Sequence, residues 1–175
     1  LDQALRHGAA EADVLLTSGG VSVGEADYIK GLLERIGSID FWKIAMKPGR
    51  PLTFGRLDNA LFFGLPGNPV AVMVTFYQFV RPALLKLRGE ARVLPLELEA
   101  ACTTALRKRP GRAEFVRGVM RAAADGGIEV TTTGQQGSGI LRSMSLANCF
   151  IVLTEDAGDV QSGARVRVQP FASLV

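Results

Sequence analysis

Residues 17–28 read Thr-Ser-Gly-Gly-Val-Ser-Val-Gly-Glu-Ala-Asp-Tyr, and they separate a short apolar run from an amphipathic one. The preceding residues 13–17 are too few for a helix and predict a buried parallel strand, central in its sheet. The following residues 26–36 carry apolar side chains at helical spacing and predict a helix. The stretch is therefore a strand-to-helix loop of an α/β domain. Such domains bind ligands at the carboxyl ends of their strands.

The composition of this loop is typical of an anion-binding site. Gly19, Gly20 and Ser22 let backbone amides approach an anion closely, and the next helix adds the positive end of its dipole. Glu25 and Asp27 lie in the first helical turn, where carboxylates either complement the dipole or hold Mg²⁺ against a phosphate. A tight turn without a ligand explains the glycines equally well, so the loop alone leaves both interpretations open.

Length and composition bound the class of protein. The chain has 175 residues, enough for one or two domains with a sizeable core. Its net charge of +3 favours small anionic ligands and gives no argument for a nucleic acid partner. One histidine and two cysteines without Cys-x-x-Cys spacing argue against zinc sites and histidine-based triads, and they fit a reduced, cytoplasmic protein.

The start of the chain and its longest apolar runs bear on location. Residues 1–12 predict a helix that continues from residues upstream, so we expect the chain to begin inside a domain. No secretory signal is apparent, and no apolar run reaches about 18 residues. We therefore expect no membrane span.

A basic stretch follows the first helix. Residues 38–46 predict a strand, and Lys-Pro-Gly-Arg-Pro at 47–51 breaks it. A straight strand would place Lys43 and Lys47 on one face about 13 Å apart, at roughly 3.3 Å per residue. The Pro-Gly turn can bring Lys47 and Arg50 back towards Lys43, and three such cations predict an oxyanion site. A solvated basic edge is the alternative.

A hairpin and a second glycine-rich loop come next. Residues 51–55 and 60–64 are apolar runs joined by an Asp-Asn turn. Gly67 precedes Asn68, which is a good N-cap for a helix that extends to about residue 87. Pro82 should kink that helix, since it removes a backbone hydrogen bond. Two glycine-rich loops and a basic strand end can surround one anionic ligand.

Beyond residue 89 the pattern changes to short alternating strands, which predict a small β-barrel or sandwich. The predicted strands cover residues 96–102, 115–123, 128–133, 149–153 and 165–168, with a hairpin turn at 125–127. The basic run at 107–112 lacks interleaved aromatics, and we interpret residues 107–109 as a solvated loop. Residues 134–139 predict a flexible polar loop.

Taken together, several motifs resemble the molybdopterin molybdenumtransferase family, the bacterial MoeA type related to the gephyrin E domain. In family order they are residues 18–28, 41–51 (Phe-Trp-Lys-Ile-Ala-Met-Lys-Pro-Gly-Arg-Pro), 64–70, 110–112, 131–138 and 145–153. The resemblance implies that residues 1–89 form the latter part of an αβα molybdopterin-binding domain. Residues 90–175 would form the C-terminal β-barrel domain.

The resemblance also implies an activity in molybdenum cofactor biosynthesis. The enzyme would insert molybdenum from molybdate into adenylylated molybdopterin, release AMP and require Mg²⁺. It would act as a homodimer, with molybdopterin adenylyltransferase as an upstream partner and with neither nucleic acid nor membrane. The family's Thr-Gly-Asp/Glu motif and two further domains are absent from this sequence, so we expect a fragment that is inactive alone.

Site residues follow from the same resemblance. Asp27 matches an aspartate that the family needs, and we expect it to bind Mg²⁺ with Glu25 beside it. Lys43 and Lys47 match the family's lysine pair, which is expected to bind phosphate or molybdate. The further ligand-binding positions that we predict are Gly19, Gly20, Ser22, Arg50, Gly67, Asn68, Arg112 and Ser138.

Two rival functions accompany this interpretation. The first is a molybdopterin adenylyltransferase, whose αβα domain is similar; the barrel-like tail and the Lys-Pro-Gly-Arg-Pro stretch argue against it. The second is a non-catalytic, gephyrin-like scaffold. Substrates separate the two enzymes, because one uses ATP and molybdopterin, and the other uses molybdate and the adenylylated pterin.

Overall fold

The computed structural model describes residues 1–19, 31, 33, 35–137 and 139–171. By compactness the chain forms two units. The first unit comprises Leu1–Ile44 and Gly49–Phe76, and the second unit comprises Ala45–Pro48 and Tyr77–Val175. Residues 45–48 therefore belong to the second unit, although the residues on both sides of them belong to the first. The last two of these four residues are the first two of the Lys-Pro-Gly-Arg-Pro stretch.

The first unit is a mixed α/β structure. Its elements, with one short strand that belongs to the second unit, are α1 (Asp2–Glu11), β1 (Val14–Ser18), β2 (Gly37–Lys43), β3 (Met46–Lys47, second unit), β4 (Pro51–Leu57), β5 (Ala60–Leu65) and α2 (Pro69–Thr75). Residues 31, 33, 35 and 36 are helical, as the sequence predicts for this segment. The rest of the loop and helix at 20–30 lies outside the described residues.

Strand β1 is parallel to its neighbour, as predicted, but its position in the sheet differs from the prediction. The four strands run in the order β1-β5-β4-β2, with only the β1–β5 pair parallel. Among the described strands β1 is thus an edge strand, and its Leu16 is 40% exposed. A short apolar run indicates that a strand is hydrophobic, but it does not indicate how many strands pair with it.

The core of the first unit lies between α1 and the sheet. Leu5 and Ala9 of α1 are buried in one cluster with Leu33, Leu57 and Phe62. The predicted hairpin is confirmed: β4 and β5 pair up to Leu57 and Ala60, so the loop has only two residues. The first of these, Asp58, adopts a positive φ of 50°, a conformation that aspartate tolerates better than most residues.

Gly37 directly follows the predicted helix at residues 26–36. It is already the first residue of β2, and its φ is not positive, so it does not form a left-handed helix cap. A Cβ atom at this position would lie 2.3 Å from the carbonyl oxygen of Arg56 on β4. Glycine is therefore required here by the close approach of two strands.

One helical run leads from the first unit into the second. It consists of α2, a π-helical turn (Phe76–Val80) and α3 (Arg81–Leu87). The predicted end near residue 87 is confirmed. The irregular turn lies directly before Pro82, whose missing N–H cannot continue the regular ladder.

By length and composition alone, the 19 residues Pro69–Leu87 could cross a membrane, with a mean hydropathy of 1.3. This length differs from the expectation that no apolar run reaches about 18 residues. Core helices pass the same test, and Val70, Val74 and Val80 of this run are completely buried.

The second unit contains a closed five-stranded barrel. Its elements are β6 (Leu98–Cys102), β7 (Ala113–Ala122), β8 (Ile128–Thr132), α4 (Arg142–Leu146), β9 (Cys149–Leu153) and β10 (Arg165–Pro170). The barrel order is β7-β8-β6-β10-β9, and a β9–β7 pairing closes it. All five predicted strands and the turn at residues 125–127 are confirmed; the short helix α4 was not predicted.

The predicted strand at residues 38–46 is wrong in its second half. Strand β2 stops at Lys43, and the separate short strand β3 pairs in parallel with the start of β7. Ala113 of β7 donates a hydrogen bond to the carbonyl of Ala45 at 2.9 Å. The chain changes sheets here because a barrel strand, distant in sequence, offers hydrogen-bond partners that a local pattern cannot show.

The barrel interior is apolar and contains both cysteines. Cys102 and Cys149 are free thiols with no exposed surface, in one cluster with Val130, Ile151 and Val168. Burial raises the pKa of Cys149 to about 11, although a backbone hydrogen bond from Met120 opposes the shift. A buried thiol of this kind is protonated at neutral pH and is a poor nucleophile.

We expect the native chain to be inert towards a thiol-specific chromogenic reagent at pH 8. Both thiols are buried, and the pKa of Cys149 lies about three units above that pH. The same reagent should titrate both thiols once guanidinium has unfolded the chain, which serves as the control. Rapid modification of either cysteine in the native chain would contradict this arrangement.

Candidate functional site

The two glycine-rich loops meet at the carboxyl ends of the parallel strands β1 and β5. The amide of Gly19 donates a hydrogen bond to the carbonyl of Leu65 at 3.2 Å. A Cβ atom placed on Gly67 would lie 3.4 Å from the Cα of Gly19, so the two backbones approach closely enough for one side chain to fill the space between them. Gly19 has a φ of 85°, which an L side chain rarely adopts. This is the sheet edge where α/β folds bind ligands.

Asn68 begins helix α2 directly behind this contact. Its side-chain Oδ1 accepts a hydrogen bond from the amide of Val70 at 3.2 Å, and Pro69 occupies the first helical position. The predicted N-cap is confirmed. Since the cap orients the first helical turn next to Gly67, the loop pair and a helix N-terminus share one small region of the first unit.

Lys43 and Arg50 lie near each other along the backbone of the first unit. Lys43 is the last residue of β2 and pairs with Pro51 of β4. Beyond this pair, the amide of Ile44 donates to the carbonyl of Arg50 at 2.8 Å. The chain thus folds back on itself as the Pro-Gly turn predicts, and the side chains of Lys43 and Arg50 are both exposed.

Lys47 is fixed on the barrel. Its ammonium forms a salt bridge of 3.2 Å with Glu114 of β7. Glu114 is only 12% exposed, whereas Lys47 is 53% exposed, so the carboxylate anchors a cation that still faces solvent. An ammonium has three donors, and one bond to Glu114 leaves others for an oxyanion. Lys47 lies on the separate strand β3, so the spacing of about 13 Å on one straight strand does not apply to Lys43 and Lys47.

Arg112 lies immediately before β7, at the same end of this strand as Lys47. Its exposed side chain follows Gly111, whose amide donates to the carbonyl of Glu155 at 2.8 Å. The register pairs Met46 with Ala113 and Lys47 with Glu114. The structure therefore brings two predicted anion ligands, Lys47 and Arg112, to one end of a barrel strand.

The loop that carries Arg112 is held by a buried lysine. Lys108 is 4% exposed, and its ammonium donates to the carbonyls of Arg109, Glu155 and Ala157 at 3.0, 3.5 and 3.3 Å. Its amide donates to Asp159 at 2.7 Å. The interpretation of residues 107–109 as a solvated loop is wrong for Lys108, because carbonyls from a distant loop replace its water.

A buried arginine organises the loop before Ser138. Arg117 of β7 is 1% exposed and donates to the hydroxyl of Ser143 and to the carbonyl of Gly137, both at 3.1 Å. Gln136 accepts from the amide of Arg117 at 2.8 Å and donates to its carbonyl at 3.1 Å. Burial lowers the pKa of Arg117. The loop is thus pinned to the barrel, contrary to the prediction of a flexible segment.

Part of the predicted site cannot be placed. The predicted residues Gly20, Ser22, Glu25, Asp27 and Ser138 lie outside the described residues. Within the described part of the chain, no group of three or more histidine, cysteine, aspartate or glutamate side chains could hold a metal ion.

Sequence reasoning missed Glu114, Lys108 and Arg117. Their sequence neighbourhood is rich in charged residues, but their partners are contributed by segments distant in the chain.

Two family descriptions match the chain. Residues 1–86 match a probable molybdopterin binding domain, and residues 99–171 match the MoeA C-terminal region, domain IV. The chain belongs to the MoeA family. The α/β first unit and the barrel of this MoeA-family chain agree with the fold class predicted from the sequence.

Named relatives and a solved structure agree with the family. Molybdopterin molybdenumtransferase from Haemophilus influenzae is 48% identical over 95% of this chain, which spans 41% of that protein. Gephyrin from Dictyostelium discoideum is 36% identical over 90% of this chain, which spans 25% of it. A molybdenum cofactor biosynthesis protein from Pyrococcus furiosus superimposes with a TM-score of 0.74 at 28% identity. That match covers 97% of this chain and 53% of the other. The chain thus spans less than half the length of both named relatives.

We expect Asn68→Ala to lower the free energy of unfolding by about 1 kcal/mol, because the amide of Val70 loses its acceptor. Chemical denaturation followed by circular dichroism measures this change. Asn68→Asp keeps an oxygen acceptor at the same place and should stay within about 0.5 kcal/mol of the parent chain. Equal destabilisation by both substitutions would show that the cap is not responsible.

We expect Arg117→Met to cost about 2 kcal/mol of unfolding free energy, since the buried hydroxyl of Ser143 and the carbonyl of Gly137 lose their donor. Amide hydrogen exchange at Gly137 should accelerate more than exchange within β8. Arg121→Met is the matched control: Arg121 lies on the same strand, but it is exposed and paired with Glu129. The control should change stability by less than about 0.5 kcal/mol.

Proposed function

We propose that this chain is part of a molybdopterin molybdenumtransferase, which inserts molybdenum from molybdate into adenylylated molybdopterin and releases AMP. One observation carries the proposal: the close approach of Gly19 and Gly67 at the carboxyl ends of two parallel strands. This approach puts two glycine-rich backbones and the start of α2 together, and such an arrangement suits the phosphate groups of an adenylylated pterin. Family membership supplies the chemistry of the ligand.

In this proposal, cations neutralise the oxyanions. Lys43 and Arg50 are exposed near the end of β2, and Lys47 and Arg112 are exposed at the start of β7. We assign the binding of phosphate or molybdate to Lys43 and Arg50 within the first unit and, separately, to Lys47 and Arg112 within the second unit. Glu114 positions Lys47 by holding one of its donors. Cations fixed in advance lower the barrier of a phosphate-releasing reaction, since they need no reorganisation when charge develops.

Further features of the proposal follow from the family resemblance. Mg²⁺ would be held by Glu25 and Asp27 beside the pyrophosphate, and Gly20, Ser22 and Ser138 would complete the ligand site. The whole protein would be a cytoplasmic homodimer that receives its substrate from a molybdopterin adenylyltransferase. The match of residues 99–171 to the MoeA C-terminal region favours this activity over that of the adenylyltransferase itself.

Calorimetric titration of adenylylated molybdopterin into the chain, with and without Mg²⁺, tests the proposed site. We expect Lys47→Ala to weaken binding by about tenfold, because a charge-assisted hydrogen bond is lost. Lys86→Ala, which removes an exposed lysine from the last turn of α3, is the charge-matched control and should bind like the parent chain. Asp27→Asn should remove the part of the affinity that depends on Mg²⁺.

Two glycine substitutions, one of them a control, test the close approach of the two loops. Gly67→Val should weaken binding, since its side chain must enter the space next to Gly19. Gly158→Val is the control, because no atom lies within 4 Å of a Cβ at Gly158 and its φ is not positive. Parent-like binding by Gly67→Val, or tighter binding of ATP than of the adenylylated pterin, would contradict the proposal. AMP release on addition of molybdate is the separate test of turnover.

A further inference from the structure

A cavity of about 220 Å³ lies within the second unit, and none of the residues assigned above to anion binding lines it. It is formed by the π-helical turn and the start of α3, the connection to β6, and strands β9 and β10. The lining residues are Tyr77, Arg81, Arg92, Leu94, Pro95, Leu96, Phe150, Gln169 and Pro170.

The cavity carries two positive charges without carboxylate partners. Within the described residues, neither Arg81 nor Arg92 forms a salt bridge. The Nε atom of Arg81 is buried and has no hydrogen-bond partner. Buried polar atoms in folded proteins nearly always have a partner. Arg81 lines the cavity and its Nε has no acceptor among the described residues, so its guanidinium group is available to an acceptor that comes from outside the chain.

The nearest polar network does not supply this acceptor, because its own groups are already bonded. Gln169 accepts from Gln78 at 2.8 Å and donates to Glu97 at 3.1 Å. The other oxygen of Glu97 pairs with Arg167 at 3.4 Å. The network thus fixes one polar edge of the cavity and leaves the charges of Arg81 and Arg92 available to a ligand.

The rest of the wall is apolar. Tyr77 and Phe150 pack edge to face with their ring centroids 5.7 Å apart. Leu94 and Leu96 are 78% and 67% exposed, so both present apolar surface that a ligand can cover. A free phosphate is strongly hydrated and would be disfavoured against such a wall. The volume is below the roughly 300–1,000 Å³ that is typical of drug-sized ligands, so the ligand must be small.

We propose that this cavity binds a small organic acid, with its carboxylate on Arg81 and Arg92 and its aromatic or aliphatic body against Tyr77, Phe150 and Leu96. Arginine suits this role because its planar guanidinium matches the two oxygens of a carboxylate. The site is independent of molybdenum insertion. Loss of one binding activity would therefore leave the other intact.

The test is a titration of the ¹⁵N-labelled chain with phenylacetate, followed by amide chemical shifts. We expect saturable shifts at Leu94, Leu96 and Gln169. Benzyl alcohol, which lacks the charge, and inorganic phosphate, which lacks the apolar body, should each give no saturation over the same range. Arg92→Gln should weaken phenylacetate binding by about tenfold, as expected for the loss of a hydrogen bond between charged groups.

The controls separate the site from general charge effects. Arg165→Gln removes an exposed arginine of β10 that is paired with Glu99, and it should bind phenylacetate like the parent chain. Arg81→Gln should act like Arg92→Gln; if it fails to fold, Arg92→Gln alone decides. The proposal is overturned by an absence of saturation, by equal binding of benzyl alcohol or phosphate, or by equal affinities of Arg92→Gln and Arg165→Gln.

Discussion

The second unit depends on strand β7, which has to pair with two different strands in order to close the barrel. Glu114–Gly118 pairs with β9, and Gly118–Ala122 pairs with β8. Gly118 is the residue shared by both pairings, and a Cβ there would lie 3.0 Å from Ile151 and from Val130. A side chain at this position, which three strands share, would have to displace both neighbours by a few tenths of an ångström. The two pairings leave no barrel edge open at this point.

Side chains complete the hydrogen bonding on both sides of that position. The amide group of Gln136 bonds to the N–H and C=O of Arg117. The amide group of Asn148 does the same for Met120, at 2.7 and 2.9 Å. Each side chain thus acts as a short piece of strand. The side chain of Arg117 then ties down the loop before Ser138, so the same constraint that closes the barrel also orders a loop of the proposed site.

Much of the fold was accessible from local patterns. The hairpin of β4 and β5, the Asn68 cap, the end of the helical run and the five barrel strands each have a signal within a few residues. The signals that failed depend on distant partners. Strand β3 pairs with β7 instead of extending β2, and Lys108 is buried by carbonyls almost fifty residues away. Neither relationship leaves a periodic pattern, because the partner lies on a different segment.

The sequence by itself determined the kind of elements, the two glycine-rich loops and the family, since these rest on short motifs and on periodicity. The tertiary structure decided which of the predicted cations share a strand end, which carboxylate holds Lys47, and which arginine is buried against Ser143 and Gly137. It also decided that Arg81 lines a cavity rather than an ordinary solvated surface. The reason is physical: charge and burial act through space, and the free energy of a buried guanidinium is set by neighbours that the chain brings together only on folding.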